Sequence, residues 1–218
     1  PLAQPHDNGV LQQQAVLIGP DGSLEVVRKA SAVGDYGAAD RAACIAYGPT
    51  ELREHIERAV NSLAPGAKLI AYEVSDPVHF EIPFTTTYRY VVEGYCKRAG
   101  DLLMFPLPGV SYECLTPAHE RRRYPIEHPS VFFLRDEAEI VLPEGYEVYY
   151  LPTGMELTIP SHEFRCAYGH GGGRIYYHGE LIRKSTTVSL EAYPGYRTFC
   201  RDLKKGTAEW IVLKQKTR

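Results

Sequence analysis

The chain has 218 residues and a hydrophobic fraction of 44%, enough for one large β domain or two smaller units with packed cores. Its 24 basic and 27 acidic residues leave a net charge of −3, without the concentrated positive face that phosphate binding needs. Nucleic acid is thereby excluded as a principal partner. No run approaches the ~20 apolar residues of a membrane-spanning helix.

Tyrosine is the outlier, at 16 residues beside 7 Phe and a single Trp, and with Thr and Val it favours strands. Cys44, Cys96, Cys114, Cys166 and Cys200 are widely spaced and form no CxxC pair, which removes zinc knuckles and dithiol redox motifs. One or two disulfides are open to an exported chain, with one thiol left over; buried free thiols are the alternative.

Residues 1–13, a Pro/Gln/Asn stretch, read as a linker. They lack the charged and apolar regions of a signal peptide, and without an initiator Met the chain fits a piece of something longer. Gln14–Ile18 and Leu24–Ala30 are strand candidates joined by Gly19-Pro-Asp-Gly22, where proline presets φ and glycine accepts a positive one. Beyond the loop holding Gly34 and Gly37, Ala38–Tyr47 stays open between a strand and a short helix. Thr50–Leu63 is the clearest helix, with Thr50 as N-cap, Glu51 and Glu54 in the first turn, and Leu52, Ile56, Ala59, Val60 and Leu63 in one stripe. Pro65-Gly66 stops it, and His55 falls on its polar side.

Lys68–Ser75, Phe84–Tyr95 and Asp101–Phe105 read as strands, followed by a break at Pro106–Gly109. The second half is denser: Ser130–Leu142, Gly145–Tyr150, Glu156–Ile159, Glu163–Tyr168, Arg174–Leu181, Ser185–Glu191 and Glu209–Lys214. Ile140–Pro152 reads as a hairpin about Pro143-Glu-Gly145, and Gly169–Gly173 as the turn of another. Tyr193–Leu203 is a short-helix candidate. The expected architecture is mainly β, in two successive β-sandwich-like units: 14–120 with one helix, and 121–218.

His162, Cys166, His170 and His178 carry metal-ligand chemistry, and the first three share strand parity. The glycine run folds the chain back, however, so His178 comes opposite Arg165 and far from His162; ordinary strand histidines are the better reading. That run also lacks the GK[ST] ending and following helix of a phosphate cradle. Cys44 and Cys200 lack the Gly-rich, Trp-bearing surroundings of a papain-like nucleophile, and no segment argues for a carboxylate pair. Arg121-Arg122-Arg123 reads as a solvated segment. No catalytic, cofactor-binding or metal residue is assigned, and the chain is not expected to be an enzyme.

Arg123-Tyr-Pro-Ile126, Leu142-Pro-Glu-Gly-Tyr146, Leu151-Pro152, Tyr193-Pro-Gly-Tyr-Arg-Thr-Phe199 and Ile211-Val-Leu-Lys214 follow in that order. This succession resembles the C-terminal β-rich region, of unknown function, of bacterial transglutaminase-like proteins with a papain-like core. Asp21-Gly-Ser-Leu24, the Gly34/Gly37 loop and Arg41 look like the segment that follows the core in those proteins. The resemblance implies that the family's Cys, His and Asp lie upstream of Pro1, and that the setting is periplasmic or extracellular. It implies a non-catalytic accessory region that positions the core or binds a protein or peptide partner, with no cofactor and no membrane span. The alternative is a released structural or assembly module, self-associating through exposed strand edges.

Overall fold

The computed structural model describes residues 4–112, 114 and 120–216. The mainly-β expectation holds. The strands are β1 Gly9–Ile18, β2 Leu24–Val33, β3 Lys68–Val74, β4 Phe84–Val92, β5 Lys97–Ala99, β6 Leu102–Pro106 and β7 Ile126–Glu127. After them come β8 Phe132–Val141, β9 Tyr146–Tyr150, β10 Met155–Thr158, β11 His162–Gly171, β12 Arg174–Arg183, β13 Thr187–Val188 and β14 Trp210–Gln215. The helices are α1 Asp35–Ala46, α2 Pro49–Leu63 and α3 Tyr193–Thr207.

Eight strands form one sheet in the order β10-β11-β12-β8-β1-β2-β4-β3, and a four-stranded sheet runs β5-β6-β14-β9. Strand pairing crosses the expected boundary twice. β1 pairs in parallel with β8 from Gly9↔Phe133 to Leu17↔Val141, and β14 pairs with β6. The two expected units therefore share both sheets, and residues 113 and 115–119, next to the expected 120/121 boundary, lie outside the described residues.

Three local expectations are corrected. The 1–13 linker is shorter, because β1 begins at Gly9 and is bonded on both sides, to β2 and to β8. Its three glutamines hide a central strand. Ile140–Pro152 contains the Pro143–Gly145 turn, closed by Tyr146 N donating to Pro143 O at 3.2 Å, but its flanking strands do not pair. β8 stays in the large sheet while β9 joins β14, so the turn is a corner between sheets. The cap of α2 is Gly48, whose N–H donates to Glu51 Oε2 at 3.1 Å, with Pro49 in the first turn. The Gly169–Gly173 hairpin is as expected: Gly172 and Gly173, with φ of 58° and 74°, make the two-residue connection.

All supporting layers lie on one face of the large sheet. Val16, Ile18, Leu24, Val26, Tyr90 and Ile140 meet Leu103, Phe105, Ile211 and Leu213 of the small sheet, with Ile56 and Val60 of α2. Alongside, Tyr196, Phe199 and Leu203 of α3 cover Phe164, Cys166, Tyr177 and Leu181. Truncating a fully buried member such as Ile140 removes about 2–5 kcal/mol. The opposite face is laced by cross-strand pairs: Arg89–Glu25 at 2.5 Å, Arg165–Glu180 at 2.7 Å, and Arg174–Glu139. Most are exposed and each contributes little.

Of the alternatives left open by the cysteines, the fold takes one disulfide, Cys114–Cys200, which ties the β6–β7 connection to α3. Cys44, Cys96 and Cys166 are free. Unfolded without reductant, the protein should take up three maleimide labels, on these residues, and five after reduction; five before reduction, read by mass spectrometry, would contradict the pairing. A second expectation concerns Gly179, where a Cβ would collide with the hydroxyls of both Tyr112 and Tyr177. Gly179→Ala should lower stability by about 1–3 kcal/mol in urea unfolding, and an unshifted midpoint would mean that the tyrosines move aside without cost.

Candidate functional site

Strand alternation places most charged side chains outside, yet it turns Arg28 and Asp136 inward. Arg28 follows Leu24 and Val26 in phase on β2, and Asp136 precedes Ala138 and Ile140 on β8; both are fully buried. Arg28 reaches across β1, its Nη1 donating to Gln14 Oε1 at 3.2 Å and its Nη2 lying 3.9 Å from Asp136 Oδ1. Gln14 Nε2 donates to Pro108 O at 2.7 Å, and a Cβ on Gly109 would lie 2.7 Å from Arg28 Nη1. Glycine is thus needed for the connection after β6 to close over the guanidinium. Tyr112, in the same connection, accepts from the Tyr177 hydroxyl at 3.2 Å and also bonds the Asp136 carboxyl.

Burial pushes Asp136 up to about 6, with the Arg28 charge and the Tyr112 hydrogen bond opposing it. Burial raises Tyr112 and Tyr177 as well, so both stay neutral hydroxyls. Asp136 Oδ2 and the Tyr90 hydroxyl have no partner among the described residues. Arg28 and Asp136 are themselves buried, while Gln14 and Tyr177 also line a recess of about 430 Å³ and Tyr112 one of about 410 Å³ beside the disulfide.

A second buried group sits between the far ends of β11 and β12 and α3. His162 Nδ1 lies 3.0 Å from Ser161 Oγ, and the rings of His128 and His162 are 5.5 Å apart, edge to face. Tyr196 and Phe199 pack on His162 at 5.2 and 5.6 Å between ring centres. Burial, then the His128 charge, drives His162 down to about 4. Ser161 and His162 are both buried, so the pair is not an accessible hydroxyl–imidazole nucleophile.

The four metal-type residues do not converge. His162 and Cys166 face the core, His170 is exposed near the hairpin tip, and His178 lies on the outer face, 4.0 Å from Glu137. The register puts His178 opposite Ala167 and Arg165 opposite Glu180, two positions from the expected pairing, because the turn centres on Gly172-Gly173. Among the described residues no group of three His, Cys, Asp or Glu side chains could hold a metal. Cys200 is consumed by the disulfide. Cys44 shares a small cavity of about 40 Å³ with Asp40, His55, Thr86 and Tyr88. His55 is half-buried there against Tyr47, not on a solvated face. Burial and the Asp40 charge raise the Cys44 thiol, the reverse of an activated nucleophile.

An open groove of about 660 Å³ runs between α1 and the segment before β4. Ala32, Gly34, Gly37 and Ala38 form a shallow floor beside Ile45, Phe80 and Ile82. Arg41 holds that wall in place: it donates to Pro77 O at 3.1 Å and Ile82 O at 2.5 Å, and its guanidinium stacks on Phe80 and Phe84. Phe80 is 73% exposed, Ile45 58% and Ile82 52%, with Val78, 60% exposed, in the same segment as Phe80. The residue before β1 meets this rim, where Asp35 N donates to Asn8 Oδ1 at 2.9 Å. Sequence reading missed both Arg28–Asp136 and this groove. The first had a signal, charge in the inward phase of a strand; the second had none, because Val78, Phe80 and Ile82 lie in an irregular segment.

A family model described as Domain of Unknown Function with solved-structure structure (DUF3858) matches residues 102–213, just over half of the 218. The chain belongs to this family. A crystal structure described as that of a candidate protease from Parabacteroides distasonis ATCC 8503 matches with a TM-score of 0.45 and 13% identity. The alignment covers 53% of this chain and 24% of that one, so this chain spans about a quarter of its length. No curated protein matches.

Arg28→Met leaves the buried Asp136 carboxylate without its counter-charge. Its titration should rise above the wild-type value of about 6 in carboxyl 13C spectra. The variant should lose about 3–5 kcal/mol at pH 8, and less at pH 5, where the carboxyl is protonated. The sign follows from linkage: a carboxyl raised from 3.8 to about 6 gives stability present below 3.8 and lost as pH rises through 6. An unmoved midpoint would mean that 3.9 Å is too far for the two to couple.

Proposed function

We propose that this chain is a non-catalytic accessory and interaction region of an exported, transglutaminase-like protein, and that it holds a protein partner at the α1 groove. The observation that carries this reading is the apolar groove lined by Ile45, Phe80 and Ile82, all more than half exposed, and braced by a buried arginine. Apolar side chains held rigidly in the open lower the ordering cost of binding, and aromatic anchors are what a protein partner's contact centre uses. The core domain of the same polypeptide is the partner that fits best. Asp7 and Asn8 lie against Gly34 and Asp35, so the segment before β1 meets the groove on the side where a preceding domain of a longer protein would be joined.

Further support comes from chemistry. Arg28 and Asp136 are buried, and the Cys44 thiol is raised, not lowered. A disulfide suits an oxidising, periplasmic or extracellular setting. Filament assembly by strand addition fits less well. The β3 edge is bulged between Leu69 and Ala71 and charged by Lys68 and Glu73, and the opposite edge strand, β10, is short and carries Glu156.

A photo-crosslinking side chain placed at Phe80 in the native-length protein should yield crosslinks to the core domain. The same group at Thr87, on the ion-paired sheet face, should yield few. Equal yields at the two positions would sink the proposed contact, and Phe80→Glu should abolish crosslinking from a probe at Ile45.

A further inference from the structure

The pair of imidazoles beneath α3 has a role that the groove reading does not use. His128 follows β7 at the end of the long connection, and its N–H donates to Thr186 O at 2.6 Å, extending the short β7–β13 ladder of Thr187↔Glu127 and Val188↔Ile126. Its ring Nδ1 lies 3.2 Å from Arg183 Nη1. A guanidinium only donates, so His128 Nδ1 must be the acceptor and the ring must be neutral, with its proton on Nε2. That Nε2 is buried without a partner among the described residues. Arg183 also donates from Nε to Ser130 O at 2.7 Å and stacks on Phe132 at 4.4 Å. One side chain thus ties the connection's end to the last residue of β12.

We propose that His128, His162 and Arg183 form an acid-responsive clasp, which opens the β7–β13 clip and the start of α3 while the large sheet stays intact. Protonating His128 removes the acceptor that Arg183 needs and sets two cations against each other. Protonating His162 adds a further charge across 5.5 Å of buried space. The surroundings do not neutralise it. Arg183 and Lys184 face the pair from the end of β12, and Tyr196 of α3 offers only a neutral hydroxyl. Tyr36 of α1 faces Arg183, and Arg122 approaches Tyr196, adding positive charge. Among the described residues Glu127 is the acid acting on His128, and it is engaged by Thr187 Oγ1 at 2.9 Å.

Both histidines are held below the ordinary imidazole value of 6.5, His162 at about 4, so the opened form takes up protons first. The closed form keeps its full advantage above 6.5 and loses it as pH falls towards 4. Hydrogen exchange read by mass spectrometry, corrected for intrinsic rate, tests this between pH 7.5 and 4.5. Peptides spanning 124–131 and 184–197 should lose protection by up to roughly tenfold per pH unit for each histidine, while those of β1 and β8 keep theirs. His128→Asn retains an acceptor for Arg183 but does not titrate, and His162→Phe retains the ring contacts; each should flatten the dependence. Variants that keep the full wild-type dependence would overturn the clasp, as would loss of protection in all peptides together. Should a variant fail to fold, imidazole 15N titration of the wild type decides: a His162 midpoint near or above 6.5 overturns the proposal.

Discussion

The parallel seam between β1 and β8 is the constraint on which the rest depends. More than one hundred residues separate the two strands, and no short turn sets their register. A slip of one residue would turn Val16 and Ile18 outward and Leu17 inward. Arg28 addresses that error directly. From β2 it spans β1 and finds Gln14 and Asp136 together only when Gln12 stands opposite Asp136. The pair is not chiefly a source of stability, since burial costs both ions and a well-packed apolar replacement is often neutral. Its value lies in making the wrong register expensive. Tyr112, Pro108 and Gly109 extend the same check to the connection that closes over the seam.

Two buried titrating groups pull in opposite directions as acid is added. Asp136 prefers to be neutral, so acid favours the seam; His128 and His162 also prefer to be neutral, so acid opposes the α3 end. Their pH windows overlap, and global unfolding would show a shallow curve in which both contributions partly cancel. Locally they do not cancel, because they sit in different layers: one inside the continuous sheet, the other under a helix clipped on by a two-residue ladder and a disulfide. Acid therefore loosens the periphery before the centre.

Period-two alternation made most strands legible, and helical spacing with a proline start made α2 legible, because both signals are local. The glycine hairpin could be read for the same reason: Gly172 and Gly173 take positive φ, which other residues avoid. What could not be read was partnership. Tyr146–Tyr150 alternates in the same way whether it pairs with β8 or with β14, and β1 hides behind three glutamines that need both neighbours to satisfy their backbone. The disulfide was one of several open pairings, chosen only once α3 packed beside the β6–β7 connection. The groove was illegible because Arg41 and Phe80 belong to segments with no periodicity between them.

The surface divides along the same physical lines, and that division is the strongest support for an interaction role. On the outer sheet face, Arg135 and Arg165 both bond Glu180, and their hydrogen bonds and charges hold its carboxyl low against the burial that would raise it. Elsewhere on that face Arg89 meets Glu25 and Arg174 meets Glu139 across the strands, and Leu17, Val27 and Tyr176 are each less than half exposed. The edges are bulged, short or charged. At the α1 end the rule is broken: four large apolar side chains stand more than half exposed, and a buried arginine is spent on keeping them there. A chain selected only to fold would let the segment from Val78 to Ile82 collapse or carry polar residues. Holding it open costs stability, and contact with a partner is what would return that cost.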